Sequence, residues 1–252
     1  MNFIHEALRD VLYNLISNSK IDLEENVICN YRTGYDLGLK DKDYALIRGP
    51  EILLTCNVLG YYGQAFTVAP RNYRGKLLDV FKMDLSSIYN RGIFYAILNA
   101  LLRKIGIINR SCHCTGNEAE LCGKVLVNHI VEKHGLGIRI LHIGYHPSHV
   151  HELYHVFRDN LLITDLREDI IWKIKNGRTI YDGTGNDVYI RNVDVVLVTG
   201  SSIINDTFWN IISSSIIGNA KVIMYGITGL GASRLIQKLI PIKIETFCPF
   251  SK

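Results

Sequence analysis

Residues Arg191–Asn210 read RNVDVVLVTGSSIINDTFWN, and the fold class turns on how they are interpreted. Asp194 to Val198 is a nearly unbroken run of Val and Leu, the composition of a strand buried on both faces of a parallel sheet. The run stops at Thr199-Gly200-Ser201-Ser202. Glycine lets the backbone approach a bound group closely, and Ser or Thr can cap the helix expected from near Asn205. Open α/β sheets take their ligands at the carboxyl ends of their strands, which makes Thr199, Gly200 and Ser201 candidate ligand-binding residues. Asn205 and Thr207 offer an amide and a hydroxyl one turn further on. The competing interpretation is a capped strand-to-helix turn with no ligand.

Working outward, the C-terminal part of the chain alternates strand and helix patterns. Strands are expected at Arg139 to Ile143, ending at Gly144, at Leu161 to Thr164, ending at Asp165, at Lys221 to Met224, and at Ile242 to Phe247. Helices are expected from Pro147, from Asp206 to Ile217, and from Ala232 to Leu239. Such alternation predicts a doubly wound, Rossmann-like parallel sheet with right-handed crossovers. Upstream, a first helix precedes strand-like stretches at Val27 to Arg32, Tyr44 to Ile47, Ile52 to Val58 and Ala65 to Val68. Turn signals at Thr33-Gly34, Gly49-Pro50 and Gly60 separate them, and these short spacings favour antiparallel hairpins. Lys76 to Lys104 is helical, with Ile93, Ile97, Ala100 and Leu101 on one face. The overall expectation is α/β: a smaller N-terminal α+β domain over residues 1–88 and a C-terminal Rossmann-like domain over 89–252.

The chain of 252 residues is 48% hydrophobic with a formal charge of +4, the profile of a globular protein with room for a sizeable core. Its Lys and Arg are scattered, so no nucleic acid partner is expected. His5, Glu6, Arg9 and Asp10 interrupt the apolar N-terminus at helical spacing, which reads as an amphipathic helix and not a targeting segment. No stretch is apolar enough to cross a bilayer, so no membrane partner is expected and a cytoplasmic location is. Six cysteines in a chain of this size without a secretory pattern make reduced thiols the default. Abundant Ile and Tyr with scarce Gln hint at a thermophilic source, in which an intracellular disulfide is more plausible.

Several groups could carry chemistry. Gly144-Tyr145-His146-Pro147 stands where a dinucleotide fold carries its glycine-rich fingerprint, but the pattern G-x-G-x-x-G is missing. Asp165 follows at roughly the twenty-residue spacing of a ribose-binding acid; alternatively it opens a helix through Ile170. His146, in the loop at a strand end, is the preferred acid/base or ligand residue. His151 and His155, four apart on one helix face, have the spacing for a shared divalent metal. Cys112, Cys114 and Cys122, with His113, form a second cluster suited to a soft or borderline metal or to redox chemistry. Surface histidines and small buried cysteines are the competing interpretations. Gly226, Gly229 and Gly231 form a further loop that could complete a pocket or be a loose turn.

VLVTGSSIINDT (Val196 to Thr207), GYHP (Gly144 to Pro147), Asp165 and the ILNALL helix about Asn99 together resemble the DUF364 family, described for heavy-metal chelation. YYGQAFT (Tyr61 to Thr67) resembles the hairpin of the companion DUF4213 domain, which is similar to the N-terminal domain of enolase. The resemblance implies a pocket between the two domains, with Gly144, His146, Asp165, Thr199, Gly200, Ser201 and Asn205 at the crevice and Asn99 on its wall. The chain departs from the family pattern at Asp206, where glycine is expected, at Ile227-Thr228, where proline is expected, and in carrying the Cys112 cluster.

The function expected from these readings is binding of a small polar molecule or a metal chelate between the domains, in metal chelation or chelator synthesis. The cofactor would be a divalent metal or a nucleoside. A transferase dependent on S-adenosylmethionine or another nucleotide is the alternative. A non-enzymatic metal carrier or sensor using the Cys112 and His151 clusters is a third reading, and self-association is compatible with all of them.

Overall fold

The computed structural model describes residues 3–49 and 51–252; Met1, Asn2 and Pro50, the last belonging to the expected Gly49-Pro50 turn, lie outside the described residues. The first half begins with α1 (Phe3–Asn18) and β1 (Asn26–Arg32). A covering segment follows, with the short α2 (Ala45–Arg48), then β2 (Ile52–Val58), β3 (Tyr61–Thr67) and β4 (Tyr73–Lys76). These strands form a four-stranded sheet in the order β3-β2-β1-β4, with antiparallel pairing throughout. The helices α3 (Leu77–Phe81) and α4 (Ile88–Lys104) come next.

Tyr44 to Ile47, expected as a strand, is instead part of the covering segment and folds into α2. Both neighbours of β1 are taken by β2 and β4, and burying Tyr44 and Leu46 beneath the cover satisfies the same apolar residues. The thiols do not all stay reduced. Cys29 and Cys56 lie directly opposite each other on β1 and β2 and form a disulfide.

The second half contains α5 (Glu118–His134), β5 (Ile140–Ile143), α6 (Pro147–Phe157), β6 (Leu161–Asp165), β7 (Ile174–Lys175), β8 (Arg178–Asp182) and α7 (Asn186–Ile190). It continues with β9 (Val195–Thr199), α8 (Ser201–Ile204), α9 (Phe208–Gly218), β10 (Lys221–Tyr225), α10 (Leu230–Leu239) and β11 (Ile244–Phe247). The seven strands are ordered β11-β10-β9-β5-β6-β8-β7. Ranked by position in the chain, the parallel strands run 3-2-1-4-5-6 from β8 to β11, which is the Rossmann order. Among the described residues of this sheet, only β7 pairs antiparallel. It joins β8 through Asn176-Gly177, both at positive φ, the residues a two-residue hairpin turn selects. That pair was an available signal for a hairpin that the strand pattern did not anticipate.

The organising strand explains both cores. Val195 and Leu197 face a cluster with α5 and α6, while Val196 and Val198 face a larger one with α1, α4, α9 and α10. Burial on both faces is what an uninterrupted Val/Leu run requires. The helix α4 is buried from Arg91 through Leu102, because it is covered on one side by the antiparallel sheet and on the other by α10 and α8. The expected division at 88/89 falls at the start of this helix, which packs on the antiparallel sheet and on α8 and α10 of the second half. Among the described residues no helix is long and apolar enough to cross a membrane.

Candidate functional site

The order of the parallel strands reverses between β5 and β9, so the loops leaving these neighbours part from each other and open a crevice. In this chain the crevice is roofed by the segment preceding β2, giving a cavity of about 660 Å³. Gly144, His146, Asp165, Thr199, Gly200, Ser201 and Asn205 all line it, as do Cys114 and Cys122.

Gly144 leaves β5 with φ +88°, and a Cβ there would sit 2.8 Å from Thr199 Cγ2. Glycine is required on both counts. The Thr199 turn is held internally: Thr199 Oγ1 and Ser201 Oγ are 3.0 Å apart, and Ser202 Oγ donates to the Thr199 carbonyl at 2.7 Å. Gly200 has an ordinary helical φ of −61°. Its lack of a side chain serves protein packing, since a Cβ would lie 2.5 Å from the Gly229 nitrogen. The helix expected over Asp206 to Ile217 is α9 and starts later, at Phe208, with the separate turn α8 before it, because Asp206 between them adopts φ +62°. That left-handed conformation explains why the family resemblance calls for glycine at this position.

Asp165 opens no helix through Ile170; residues 166–173 form turns. Its carboxylate instead ties two loops together, Oδ2 accepting from Tyr145 N at 2.7 Å and Oδ1 from Arg167 N at 2.8 Å. A hydrogen bond network thus occupies the group that a nucleotide fold would turn toward a ribose. The loop around Gly226 is also well packed. Thr228 Oγ1 accepts from Phe66 N at 2.9 Å, and Gly226 and Thr228 line the cavity.

His146 caps α6, its Nδ1 accepting from His149 N. Its ring stacks on His149 at a centroid distance of 3.9 Å and meets Tyr44 edge-on at 5.1 Å. Burial, with smaller contributions from His142 and His113, lowers its pKa to about 3. An imidazole so reluctant to take a proton is a weak general base at neutral pH. Of the two roles expected for His146, acid/base and ligand, a neutral imidazole suits the second better. Burial likewise lowers the pKa of His113 and, further, that of His149. His142 Nε2 lies 3.3 Å from His149 Nδ1, and His149 Nε2 lies 3.3 Å from Cys122 Sγ, so a chain of polar contacts runs from the sheet to the cavity wall.

The remaining expected metal residues divide. Cys114 and Cys122 reach the cavity and are joined there by Cys248, which immediately follows β11. Burial pushes the Cys114 thiol up to about 12 and also raises Cys122 and Cys248. Cys112 points elsewhere, its Sγ 3.8 Å from the Tyr62 carbonyl, so it is separated from its expected partners. His151 and His155 are close, with centroids 4.6 Å apart, but both are exposed on the outer face of α6. Among the described residues no three His, Cys, Asp or Glu side chains are arranged to hold a metal ion. Asn99 is not a wall residue. It is fully buried and bonded to the backbone.

Sequence reasoning passed over Glu51, Arg167, Tyr44 and Cys248. Arg167 and Cys248 follow the carboxyl ends of β6 and β11, so their positions carried a signal. Glu51 and Tyr44 come from the other half of the chain and carried none. Glu51 borders the cavity; burial raises its carboxyl pKa, with the nearby Asp165 charge adding to the effect, against a hydrogen bond with Ser201 and the Arg167 charge.

Residues 130–234 match the DUF364 family model. That family is described as "Putative heavy-metal chelation". The chain resembles in structure a DUF364 protein of unknown function from Pyrococcus horikoshii, with 18% identity and a TM-score of 0.59 over 93% of this chain and 83% of the other. A DUF364 protein of unknown function from Desulfitobacterium hafniense DCB-2 is also similar, at 13% identity and a TM-score of 0.49 over 88% and 81% of the two chains. At such identities the first likeness is one of fold. No curated protein matches the chain. The DUF364 match takes in Gly144, His146, Asp165 and the Thr199 turn. Glu51, Cys114, Cys122 and Cys248 lie outside it.

Proposed function

We propose that this protein binds a small polar molecule as its metal chelate in the cavity between the two sheets. The carrying observation is that three imidazoles, His113, His146 and His149, and three thiols, Cys114, Cys122 and Cys248, border the same cavity as the polar Thr199–Asn205 turn. Imidazole and thiol are the donors that borderline and soft metals prefer. A volume of about 660 Å³ is in the range that accommodates a small organic ligand. Among the described residues none form a complete metal site by themselves, and a chelate does not need one. It brings most of its own donors and leaves one or two positions for the wall. The description of the matched family supports the same reading. In this reading the N-terminal half, whose hairpin resembles the DUF4213 companion, supplies the roof.

Equilibrium dialysis with elemental analysis tests the proposal, using Zn(II), Ni(II) and Cu(I) alone and as citrate or histidine complexes. The complexes should be retained better than the bare ions. Replacing Cys114, Cys122 and Cys248 by Ser together should cost at least roughly tenfold in retention. Equal retention by the substituted protein sinks the reading. The nucleoside-dependent transferase is the second reading, favoured by the Rossmann strand order; its mark would be stabilisation by S-adenosylmethionine or another nucleoside with no metal present.

A further inference from the structure

Arg167 lies two residues beyond the end of β6 and lines the cavity. Its side chain is only 11% exposed. Nη1 and Nη2 are buried and have no hydrogen-bond partner among the described residues. The inner nitrogen, Nε, is 3.6 Å from Asp165 Oδ1, and the Arg167 backbone N–H donates to the same oxygen. Asp165 is itself fixed by Tyr145 N. The guanidinium is therefore paired with Asp165 at its base and unsatisfied at its fork. Buried donors without an acceptor are costly, and a ligand can complete them.

We propose that Arg167 receives a carboxylate group of the ligand through the two nitrogens of its fork. This deepens the small-molecule reading of the cavity and rests on it. The planar fork matches the two oxygens of a carboxylate in one plane, with two parallel N–H···O bonds. Phosphate would offer the same oxygens but a second negative charge, and the wall already carries Glu51 and Asp165. One guanidinium balances one carboxylate; it does not balance a dianion beside two carboxyl groups. Glu51, protonated more readily than an ordinary glutamate because of its burial, can donate to the bound group. Ser201, within hydrogen-bonding reach of Glu51, extends the polar patch. Tyr44, Leu46 and Phe66 cover the less polar remainder, and the soft donors elsewhere on the lining meet the metal.

Metal-free protein tests this independently of chelation. Binding of the monocarboxylates acetate and butyrate, of uncharged butyramide, and of inorganic phosphate would be followed by calorimetry and thermal shift in the native protein, in Arg167→Met, in Arg167→Lys and in the Cys114/Cys122/Cys248→Ser variant. Native protein should bind and be stabilised by the carboxylates and not by butyramide. Arg167→Met should lose affinity roughly tenfold or more, and Arg167→Lys, which keeps the charge without the fork, should fall between. The melting shift on adding carboxylate separates this role from a structural one, because a purely structural arginine would leave that shift intact in every variant that folds. The thiol variant should bind carboxylates as native protein does. Carboxylate binding unchanged in Arg167→Met, phosphate bound more tightly than carboxylate, or no stabilisation of native protein at millimolar carboxylate each overturns the assignment. Arg167-dependent carboxylate binding without retention of any metal complex sinks only the chelate reading.

Discussion

Asn99 Oδ1 accepts a hydrogen bond from the backbone N–H of Gly231 at 2.9 Å, from inside the helix that lies between the two sheets. The Nδ2 of the same side chain donates to the carbonyls of Gln64, Ile227 and Thr228, at 3.0, 3.2 and 3.3 Å. One amide thus fastens α4 to β3 of the antiparallel sheet and to the loop entering α10. Replacing it with Leu strands several buried backbone groups, at a cost of about 2–4 kcal/mol. Urea denaturation should show that loss, while retention of a metal complex by the folded protein stays unchanged. Intact stability with lost binding would return Asn99 to the cavity wall.

The charge states of the soft wall fix how metal capture responds to pH. The imidazoles of His142 and His146, lowered to about 3, are already deprotonated above weakly acidic pH and add no slope there. The thiols are protonated, Cys114 up to about 12, and each one that becomes a ligand must release its proton. Metal affinity should therefore rise with pH by about tenfold per unit for each thiolate bound, throughout the neutral range. Competition titrations at several pH values measure that slope, and a flat profile would exclude the thiols as ligands.

Glycine at the two strand-end turns serves packing as well as conformation. Gly144→Ala would force a side chain into φ +88° and against Thr199; Gly200→Ala would drive Cβ into the Gly229 backbone. Each should cost about 1–3 kcal/mol. Because Gly144 and Thr199 leave the neighbouring strands at the crevice, Gly144→Ala should also weaken ligand binding, as calorimetry of the folded variant would show. Native affinity in that variant would mean that the crevice does not hold the ligand.

The roof is tied down by ion pairs. Lys175 Nζ bridges both oxygens of Asp43, at 3.0 and 2.9 Å, and Arg48 Nη1 is 3.6 Å from Asp169 Oδ2. Partly exposed pairs contribute little to stability, about 1 kcal/mol or less. Lys175→Met should therefore leave the melting temperature nearly unchanged while raising the dissociation rate of a bound complex several-fold. Stopped-flow dissociation at low and high salt would show it, the native protein becoming more like the variant as salt increases. Identical rates would mean that the roof does not gate the cavity.

Glu51 should leave a signature in the pH dependence of folding. Its folded-state pKa lies above the ordinary glutamate value, so its contribution to stability is complete below that value and is lost as pH rises through the folded pKa. Glu51→Gln should remove this loss, giving a ligand-free protein that is more stable than native above the shifted pKa. Denaturation curves from about pH 4 to pH 8 measure the difference. A native profile unchanged by the substitution would show that Glu51 is solvated.

The parallel strands were legible because local sequence controls them. A strand buried on both faces must be apolar at every position, and Val195–Val198 is. The loops at strand ends were legible for a related reason: only small residues allow the backbone to turn where β5 and β9 diverge. The Rossmann reading and the crevice residues Gly144, Asp165, Thr199 and Ser201 followed from these rules. Tyr44 to Ile47 failed the same approach. A short apolar run does not specify whether it pairs in a sheet or lies over a cavity, and here neighbouring strands had already filled the pairing positions.

Local sequence was enough for the alternating strands from β5 to β11, apart from the β7–β8 hairpin, and for the residues offered at their carboxyl ends. The strand order that opens the crevice, and what faces those residues, came from the tertiary structure. It brought Glu51 and Tyr44 across from the first half, gathered Cys114, Cys122 and Cys248 from distant stretches, turned His151 and His155 to solvent and locked Asn99 into the core. These outcomes depend on how two sheets pack through one buried helix. Packing is set by the shapes of whole surfaces, which no local spacing of residues records.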